Sequence, residues 1–234
     1  MKHKQLKRTF SWLVCLTVTA LFIYLFINWH TVTSTTKELD QLVATNPGSA
    51  LAKLAELPVK EKESGEDYER SLFSSSWASW RDCNVRQKIL NRDLTNITLA
   101  DNDCAVTSGT LIDPYSGKTL ELTTKSAVSS KVQIDHVVAL SNAWQTGAKY
   151  LTKEERKALA NDDLELIAVS SKDNQEKSDG DASEWLPENK SFQCPYVARQ
   201  IAVKLKYRLW ITPTEKSAMT EVLLTCPSEP LPAE

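Results

Sequence analysis

The sequence predicts a mixed α+β fold, with more helix than strand, and one transmembrane helix ahead of the folded domain. The 234 residues are 41% hydrophobic and 25% charged, which suffices for one globular core of ordinary size. Short β-branched runs, typical of buried strands, alternate with segments that begin on helix-capping residues. These observations favour a single compact domain.

Four stretches carry strand signals. Val132–Ile134 and Leu164–Val169 are short aliphatic or β-branched runs suited to buried strands. Asp113-Pro114-Tyr115-Ser116-Gly117 lies between two Thr-rich segments and predicts the turn of a β-hairpin. Between the two runs, Thr152-Lys153-Glu154-Glu155 is a capping box that opens a helix through about Ala160. Pairing of the two runs would bring together the polar residues that accompany each of them.

Further helices are predicted after the second run. Ser170 or Ser171 would cap a short helix that carries Asn174. Residues 191–208 have the apolar spacing of a longer helix. Thr212-Pro213-Thr214-Glu215 supplies an N-cap, a proline at the first helical position and a glutamate in the first turn of a last helix.

The N-terminus carries an apolar segment long enough to span a bilayer. The run from Phe10 to Ile27 holds no charged residue and follows four basic ones, Lys2, Lys4, Lys7 and Arg8. The positive-inside bias then predicts that the rest of the chain is exported. A signal peptide cleaved near Val32-Thr33-Ser34 is the alternative, but the run exceeds the usual apolar region of about 7–15 residues. We therefore favour an uncleaved anchor.

Composition divides the chain into five parts. Residues 30–64 are rich in Thr, Ser, Lys and Glu, and Asn46-Pro47-Gly48 interrupts two short helical stretches there. We predict a cytoplasmic basic tail at residues 1–8, a transmembrane signal anchor at 9–29, a stalk or linker at 30–65, the folded domain at 66–227 and a C-terminal tail at 228–234.

The cysteines outside the apolar run indicate disulfides. Cys83, Cys104, Cys194 and Cys226 include no Cys-x-x-Cys pair, which disfavours a structural zinc site. Two disulfides are the simplest account in an oxidising compartment. Of the three pairings that four cysteines allow, we favour Cys83–Cys104 and Cys194–Cys226, because each pair encloses one local unit.

Charge excludes a protein that coats nucleic acid through a general positive potential. Residues 1–34 hold four basic side chains and no acidic ones, so the rest has 28 − 4 = 24 basic against 30 acidic side chains, a net charge of −6. Basic residues cluster locally at Arg199, Lys204, Lys206 and Arg208. This cluster predicts either a phosphate-facing stripe or a solvated helix face.

After residue 34 the chain has one histidine, His136, which follows Asp135 at the end of a predicted strand. Histidine is the side chain best suited to proton transfer near neutral pH. Asn174 lies on the short helix after the second strand. A carboxylate and an amide oxygen beside a histidine could hold a hard metal ion.

The polar motifs resemble those of exported bacterial HNH nucleases with a GmrSD-type C-terminal domain. The resemblance covers residues 66–227 and rests on an ordered set of motifs rather than on Asp-His alone. These motifs are Asp82-Cys83-Asn84-Val85-Arg86-Gln87, Asp135-His136-Val137-Val138-Ala139-Leu140-Ser141, Asn142-Ala143-Trp144-Gln145-Thr146-Gly147-Ala148, Asp173-Asn174-Gln175-Glu176-Lys177-Ser178-Asp179, Trp185-Leu186-Pro187 and Tyr196-Val197-Ala198-Arg199-Gln200.

The resemblance implies a ββα-metal (HNH) nuclease core surrounded by additional helices. Asp135 and Asn174 would be metal ligands for Mg²⁺ or Mn²⁺, and His136 would be the general base. Many HNH proteins have a proline three residues after the histidine and a further histidine in the helix. This chain has Ala139 and no histidine near Asn174, which leaves the identity of the metal open.

The sequence therefore predicts a metal-dependent endonuclease that hydrolyses DNA outside the cytoplasm, and it leaves open whether RNA is cut as well. It would be anchored in the membrane by its N-terminal helix, or secreted if that segment is cleaved, and would need no organic cofactor. Lys177, Arg86 and Arg199 are candidate phosphate contacts. One alternative is a non-cleaving DNA-binding or DNA-uptake module of the same fold, and another is a structural surface protein. No protein partner is indicated.

Overall fold

The computed structural model describes residues 21, 23–26, 29, 37, 39–101 and 103–232, which belong to two compact units, Met1–Thr45 and Asn46–Glu234. The described residues of the first unit are helical. Within the described residues, no helix combines the length and the apolar character that a membrane span requires. The predicted basic tail and most of the predicted anchor at residues 9–29 lie outside the described residues.

In the second unit, the described strands form small antiparallel sheets. They are β1 (Ser79–Trp80) with β2 (Cys83–Asn84), then β3 (Thr95–Leu99), β4 (Val106–Ile112) and β5 (Thr119–Leu122) in that order, and β6 (Val132–His136) with β7 (Leu166–Ser170). The register of the last pair sets Asp135 opposite Ile167 and His136 opposite Leu166. Asp135 and His136 are therefore the last two residues of β6.

Side-chain caps set the starts of most helices. Asn84, Thr124, Thr152, Ser170 and Thr212 each accept a backbone N–H bond in the first turn. The helices are α1 (Ala50–Leu54), α2 (Val85–Asp93), α3 (Lys125–Lys131), α4 (Leu140–Gln145), α5 (Lys153–Leu159), α6 (Ser171–Lys177), α7 (Lys190–Lys206) and α8 (Pro213–Leu224). Short 3₁₀ turns cover Arg70–Leu72 and Ala148–Tyr150.

The β6–β7 pair is fixed by a core that it shares with α2 and the β3–β4–β5 sheet. Ile89 and Leu90 of α2 are fully buried against Val132 of β6 and Leu166 of β7, and Leu111 of β4 completes this cluster. Close packing of this kind transmits strain rather than absorbing it. The strand pair is therefore a rigid platform for the residues at its end.

Local sequence signals agree with the elements found. The turn at residues 113–117 joins β4 to β5, as predicted, and the capping box at Thr152 opens α5. The two aliphatic runs pair as β6 and β7, and Ser170 caps α6. The structure contains both favoured disulfides, Cys83–Cys104 and Cys194–Cys226.

The second compact unit begins at Asn46, ahead of residue 66, where we predicted the folded domain to start. Residues 46–65 include α1, whose Leu51 and Leu54 are buried, and the Ala50 N–H donates to the Glu229 carbonyl at 2.7 Å. The same bond connects Glu229, within the predicted C-terminal tail, to α1.

Candidate active site

Strand pairing brings the three predicted site residues to one cavity. Asp135 and His136 end β6. The helix α6 begins after Ser170, which pairs with Val132 at the other end of β6, and runs back along that strand, so that Asn174 Nδ2 donates to Gln133 Oε1 at 2.6 Å. Asp135, His136 and Asn174 all line a cavity of about 810 Å³. The arrangement of these residues therefore agrees with the one expected if the two strands pair.

A backbone carbonyl orients the His136 ring. The side chain is buried, and its Nε2 lies 3.1 Å from the Ala160 carbonyl oxygen at the end of α5. Because a carbonyl oxygen can only accept, Nε2 carries the proton and Nδ1 carries the lone pair. The tautomer is thus one in which Nδ1 can accept a proton from another molecule.

Burial keeps this imidazole neutral. It is the largest cause that lowers the pKa of His136 to about 3, and the charges of Arg70 and Lys177 act in the same direction. The hydrogen bond to Ala160 opposes the shift. At neutral pH, His136 is therefore a base in its unprotonated form.

Trp77 packs against the histidine in a way that the sequence does not signal. Its ring is parallel to the His136 ring, with an interplanar angle of 5° and a centroid distance of 5.8 Å. Trp77 is half-buried and lines the site cavity. Stacking and the carbonyl bond together restrict rotation of the imidazole.

Asp135 is held by two buried donors. Lys177 Nζ lies 3.0 Å from Asp135 Oδ1, and the Tyr115 hydroxyl donates to Oδ2. The same ammonium donates to the His136 carbonyl at 3.0 Å. Burial raises the pKa of the Asp135 carboxyl, while Lys177 and Tyr115 act in the opposite direction. A single lysine thus fixes both members of the Asp-His pair.

The three predicted phosphate contacts lie in different parts of the domain. Lys177 is buried, and its ammonium donates to the Asp135 carboxylate and to the His136 carbonyl. Arg86 lines the site cavity and donates to the Val132 carbonyl at 3.0 Å. Arg199 lies outside this cavity, in two others that it shares with Arg92.

The basic cluster of α7 forms neither a phosphate stripe nor a uniformly solvated face. Lys204 is fully buried in an ion pair with Glu215, and Arg208 is exposed and paired with Glu155.

Arg70 was not predicted, but its guanidinium lines the site cavity and makes no ion pair or hydrogen bond within the described residues. It lies on a 3₁₀ turn without a recognisable motif.

The candidate oxygen donors near His136 belong to Asp135 and Asn174, which line the same cavity. Asn174 Oδ1 has no hydrogen-bond partner within the described residues, whereas the two carboxylate oxygens of Asp135 accept from Lys177 and Tyr115. The described part of the chain has no group of three or more His, Cys, Asp or Glu side chains that could enclose a metal. Mg²⁺ binds through one or two carboxylates together with water and phosphate oxygens, so an open site of this kind suits it.

A buried carboxyl supports the backbone that follows His136. Glu165 is fully buried, its Oε2 accepts from the Val138 N–H at 3.2 Å, and its carbonyl accepts from the Val137 N–H at 2.9 Å. Burial raises the pKa of Glu165 well above its usual range, and the charge of Asp135 adds to the shift. Burial therefore favours the neutral form of Glu165, which lies behind the site.

Comparison with known proteins identifies similar sequences over most of this domain. The C-terminal domain of GmrSD restriction endonucleases matches residues 84–222, which include Asp135, His136 and Asn174 but not Arg70 or Trp77. A protein of the fungus Arthroderma benhamiae, described as an uncharacterized secreted protein, is 39% identical over 180 residues. That alignment covers 76% of this chain and 85% of the fungal protein. No solved structure matches the chain.

Proposed function

We propose that this chain, which belongs to the family of the C-terminal domain of GmrSD restriction endonucleases, is a metal-dependent endonuclease that acts on DNA outside the cytoplasm. The family suggests a nuclease-like hydrolase. The observation that carries the finer proposal is His136, a buried neutral imidazole whose Nε2 is bound to Ala160 and which lines one cavity with Asp135 and Asn174.

His136 would act as the general base. Nδ1 accepts a proton from a water molecule, whose oxygen forms a bond to the phosphorus atom of the scissile phosphodiester. The bond from phosphorus to the 3′-oxygen breaks, and a proton from solvent neutralises that oxygen. General base catalysis of this kind contributes about 10²–10⁴-fold in rate. The Ala160 carbonyl and Trp77 keep the ring in place during the transfer.

Asp135 and Asn174 would hold one divalent ion, Mg²⁺ or Mn²⁺, which stabilises negative charge on the phosphate oxygens. Lys177 keeps the Asp135 carboxylate and the His136 backbone in a fixed relation. Arg70 and Arg86 present guanidinium groups to the same cavity, where they would bind non-bridging phosphate oxygens. Preorganised positive charge at that position favours the transition state.

Action outside the cytoplasm rests on two observations. The fungal relative is described as secreted, and this chain contains two disulfides. Disulfides persist in oxidising compartments and are rare in the cytosol. The transmembrane anchor at residues 9–29 remains part of the proposal. If all four cysteines were reduced in the protein from its native host, extracytoplasmic action would be contradicted.

Plasmid cleavage by the full-length protein tests the enzyme proposal. We expect nicking of supercoiled DNA with Mg²⁺ or Mn²⁺, no nicking with EDTA, and loss of nicking in His136→Ala. His30→Ala, which removes a histidine outside the second compact unit, is the control and should leave nicking unchanged. Equal nicking by wild type and His136→Ala would contradict the proposal. Retained DNA binding without any cleavage would instead favour the non-cleaving module.

A further inference from the structure

The cavity at His136 continues along a serine-rich loop. A second cavity, of about 470 Å³, is lined by His136, Trp77, Arg70 and the loop Ser74–Ser76. A third, of about 540 Å³, shares the loop and Trp77 with the second and ends at α5. The shared residues make a continuous surface from the candidate base to α5.

This extension is positively charged, although the whole chain has a net charge of −2. The residues that line the second and third cavities include Arg70, Lys153 and Lys157 but no aspartate or glutamate. Within the described residues, none of these three cations makes an ion pair or a side-chain hydrogen bond. By contrast, Lys62 and Lys88, which lie elsewhere on the domain, are each paired with a carboxylate.

Neutral donors accompany the charges. The backbone N–H groups of Ser75, Ser76 and Trp77 donate to no acceptor in the part of the chain that the structure describes, and neither do the hydroxyls of Ser75 and Ser76. Free backbone N–H groups and hydroxyls can donate hydrogen bonds to the oxygen atoms of an anion. Lys153 and Lys157 are exposed and four residues apart, so they lie on one face of α5. The extension therefore offers donors and positive charge without a competing acid.

We propose that the loop Ser74–Ser76, with Arg70, Lys153 and Lys157, is a subsite that binds the phosphodiester backbone of a polynucleotide strand beyond the bond that is cleaved. A ligand that reaches from His136 to α5 and satisfies these groups must carry several anionic groups along its length. A polynucleotide strand has this property, whereas a single phosphate ester does not. The inference rests on the proposed function and adds that the strand lies on the Trp77 side of His136.

Substrate length provides the test. Full-length wild type and the variant Lys153→Glu/Lys157→Glu are compared on a series of single-stranded oligonucleotides, from a dinucleotide to about 12 nucleotides. Cleavage rates give kcat and KM, and fluorescence anisotropy gives Kd at several salt concentrations. The control is Lys190→Glu/Lys216→Glu, which makes the same change in charge at lysines that line neither cavity and make no ion pair within the described residues.

For wild type we expect KM and Kd to fall as the oligonucleotide lengthens. In Lys153→Glu/Lys157→Glu, Kd for the longest strand should rise about 10-fold, and the slope of log K against log salt should decrease by about 1.4 for two lost contacts. Its kinetics on the dinucleotide should match wild type. Ser76→Asp, which places an acid beside the free N–H groups, should show the same loss for long strands.

Equal Kd, KM and salt slope in wild type and Lys153→Glu/Lys157→Glu would overturn the inference, as would an equal loss in the control. The subsite and the proposed enzyme function can fail independently in this experiment. If neither the plasmid nor any oligonucleotide is cleaved but binding depends on length and on these lysines, the enzyme proposal fails and the subsite stands. If cleavage is normal and binding does not depend on the lysines, the subsite alone fails.

Discussion

Two buried lysine–carboxylate pairs lie in different surroundings. Lys204 and Glu215 join α7 to α8 at 2.9 Å, and both side chains are fully inaccessible. Lys177 and Asp135 join α6 to β6 at 3.0 Å, but Asp135 lines the site cavity beside His136. The first pair only holds helices together, whereas the second holds a carboxylate that must also face a ligand. The same ionic chemistry serves the fold in one place and the site in the other.

The largest expected effect is the loss of stability when the fully buried Lys204–Glu215 pair is broken. Lys204→Met leaves the Glu215 carboxyl buried without its cation, and we expect the free energy of unfolding to fall by about 3–5 kcal/mol, measured by urea denaturation. Lys204→Met/Glu215→Leu removes both charges and should recover most of this loss. A stability change below about 0.5 kcal/mol in the single variant would show that the pair contributes little.

The pH dependence of stability distinguishes the surroundings of the Lys177–Asp135 pair from those of the Lys204–Glu215 pair. Within the described residues, the buried histidine lies beside the first pair. Since folding lowers the pKa of His136 to about 3, the unfolded chain takes up a proton below pH 6.5 that the folded protein does not. This group therefore lowers stability as the pH falls from about 6.5 to 3, by about 3 kcal/mol at pH 4. The difference in unfolding free energy between wild type and His136→Gln should shrink by that amount between pH 7 and 4. A constant difference would mean that His136 titrates normally.

The site pair should respond in activity more than in stability. Lys177→Met removes the donor to Asp135 and to the His136 carbonyl, while Tyr115 still donates to the carboxylate. We expect a stability loss of about 1–3 kcal/mol and a fall in kcat of about 100-fold, because the Asp-His pair loses its fixed geometry. Thermal unfolding and single-turnover cleavage measure the two effects. Unchanged kcat in the folded variant would place Lys177 with Lys204 as a purely structural residue.

The smallest effect on stability and activity is expected for a substitution at Glu165. Glu165→Gln replaces a neutral buried acid by a side chain of the same shape, and the Val138 N–H keeps an oxygen acceptor. We expect stability to change by less than about 1 kcal/mol at pH 7, with unchanged kcat. Calorimetry measures the change in stability, and cleavage kinetics measure kcat. A large loss would show that Glu165 is ionised in the folded protein.

Local signals predicted much of the fold, because they act within a few residues. The capping box at Thr152 and the turn at residues 113–117 fix the backbone through their own hydrogen bonds. The proximity of Asn174 to Asp135 and His136 was also predictable, since two short aliphatic runs separated by a helix tend to pair. The burial of Leu51 and Leu54 in α1 was not, because it arises only through contacts with distant helices.

Tertiary packing decided the parts of the site that the sequence could not indicate. Lys177 and Asn174 lie one turn apart on α6, yet one is buried beneath Asp135 and the other faces the cavity. That difference follows from the orientation of α6 on the strand pair. Trp77 and Arg70 reach the site from a segment without a motif, and Arg199, despite its basic neighbours, lies in other cavities. No pattern of residue types distinguishes these cases.

Chemical rescue of His136 tests the central claim most directly. Single-turnover cleavage of a plasmid is measured for wild type and for His136→Gly, with and without added imidazole. We predict that His136→Gly loses about 10²–10⁴-fold in rate, as expected for loss of a general base, and that imidazole restores part of it. A control variant, Trp77→Leu, should lose less and show no rescue. A His136→Gly protein that cleaves at the wild-type rate would contradict the assignment of His136 as the base.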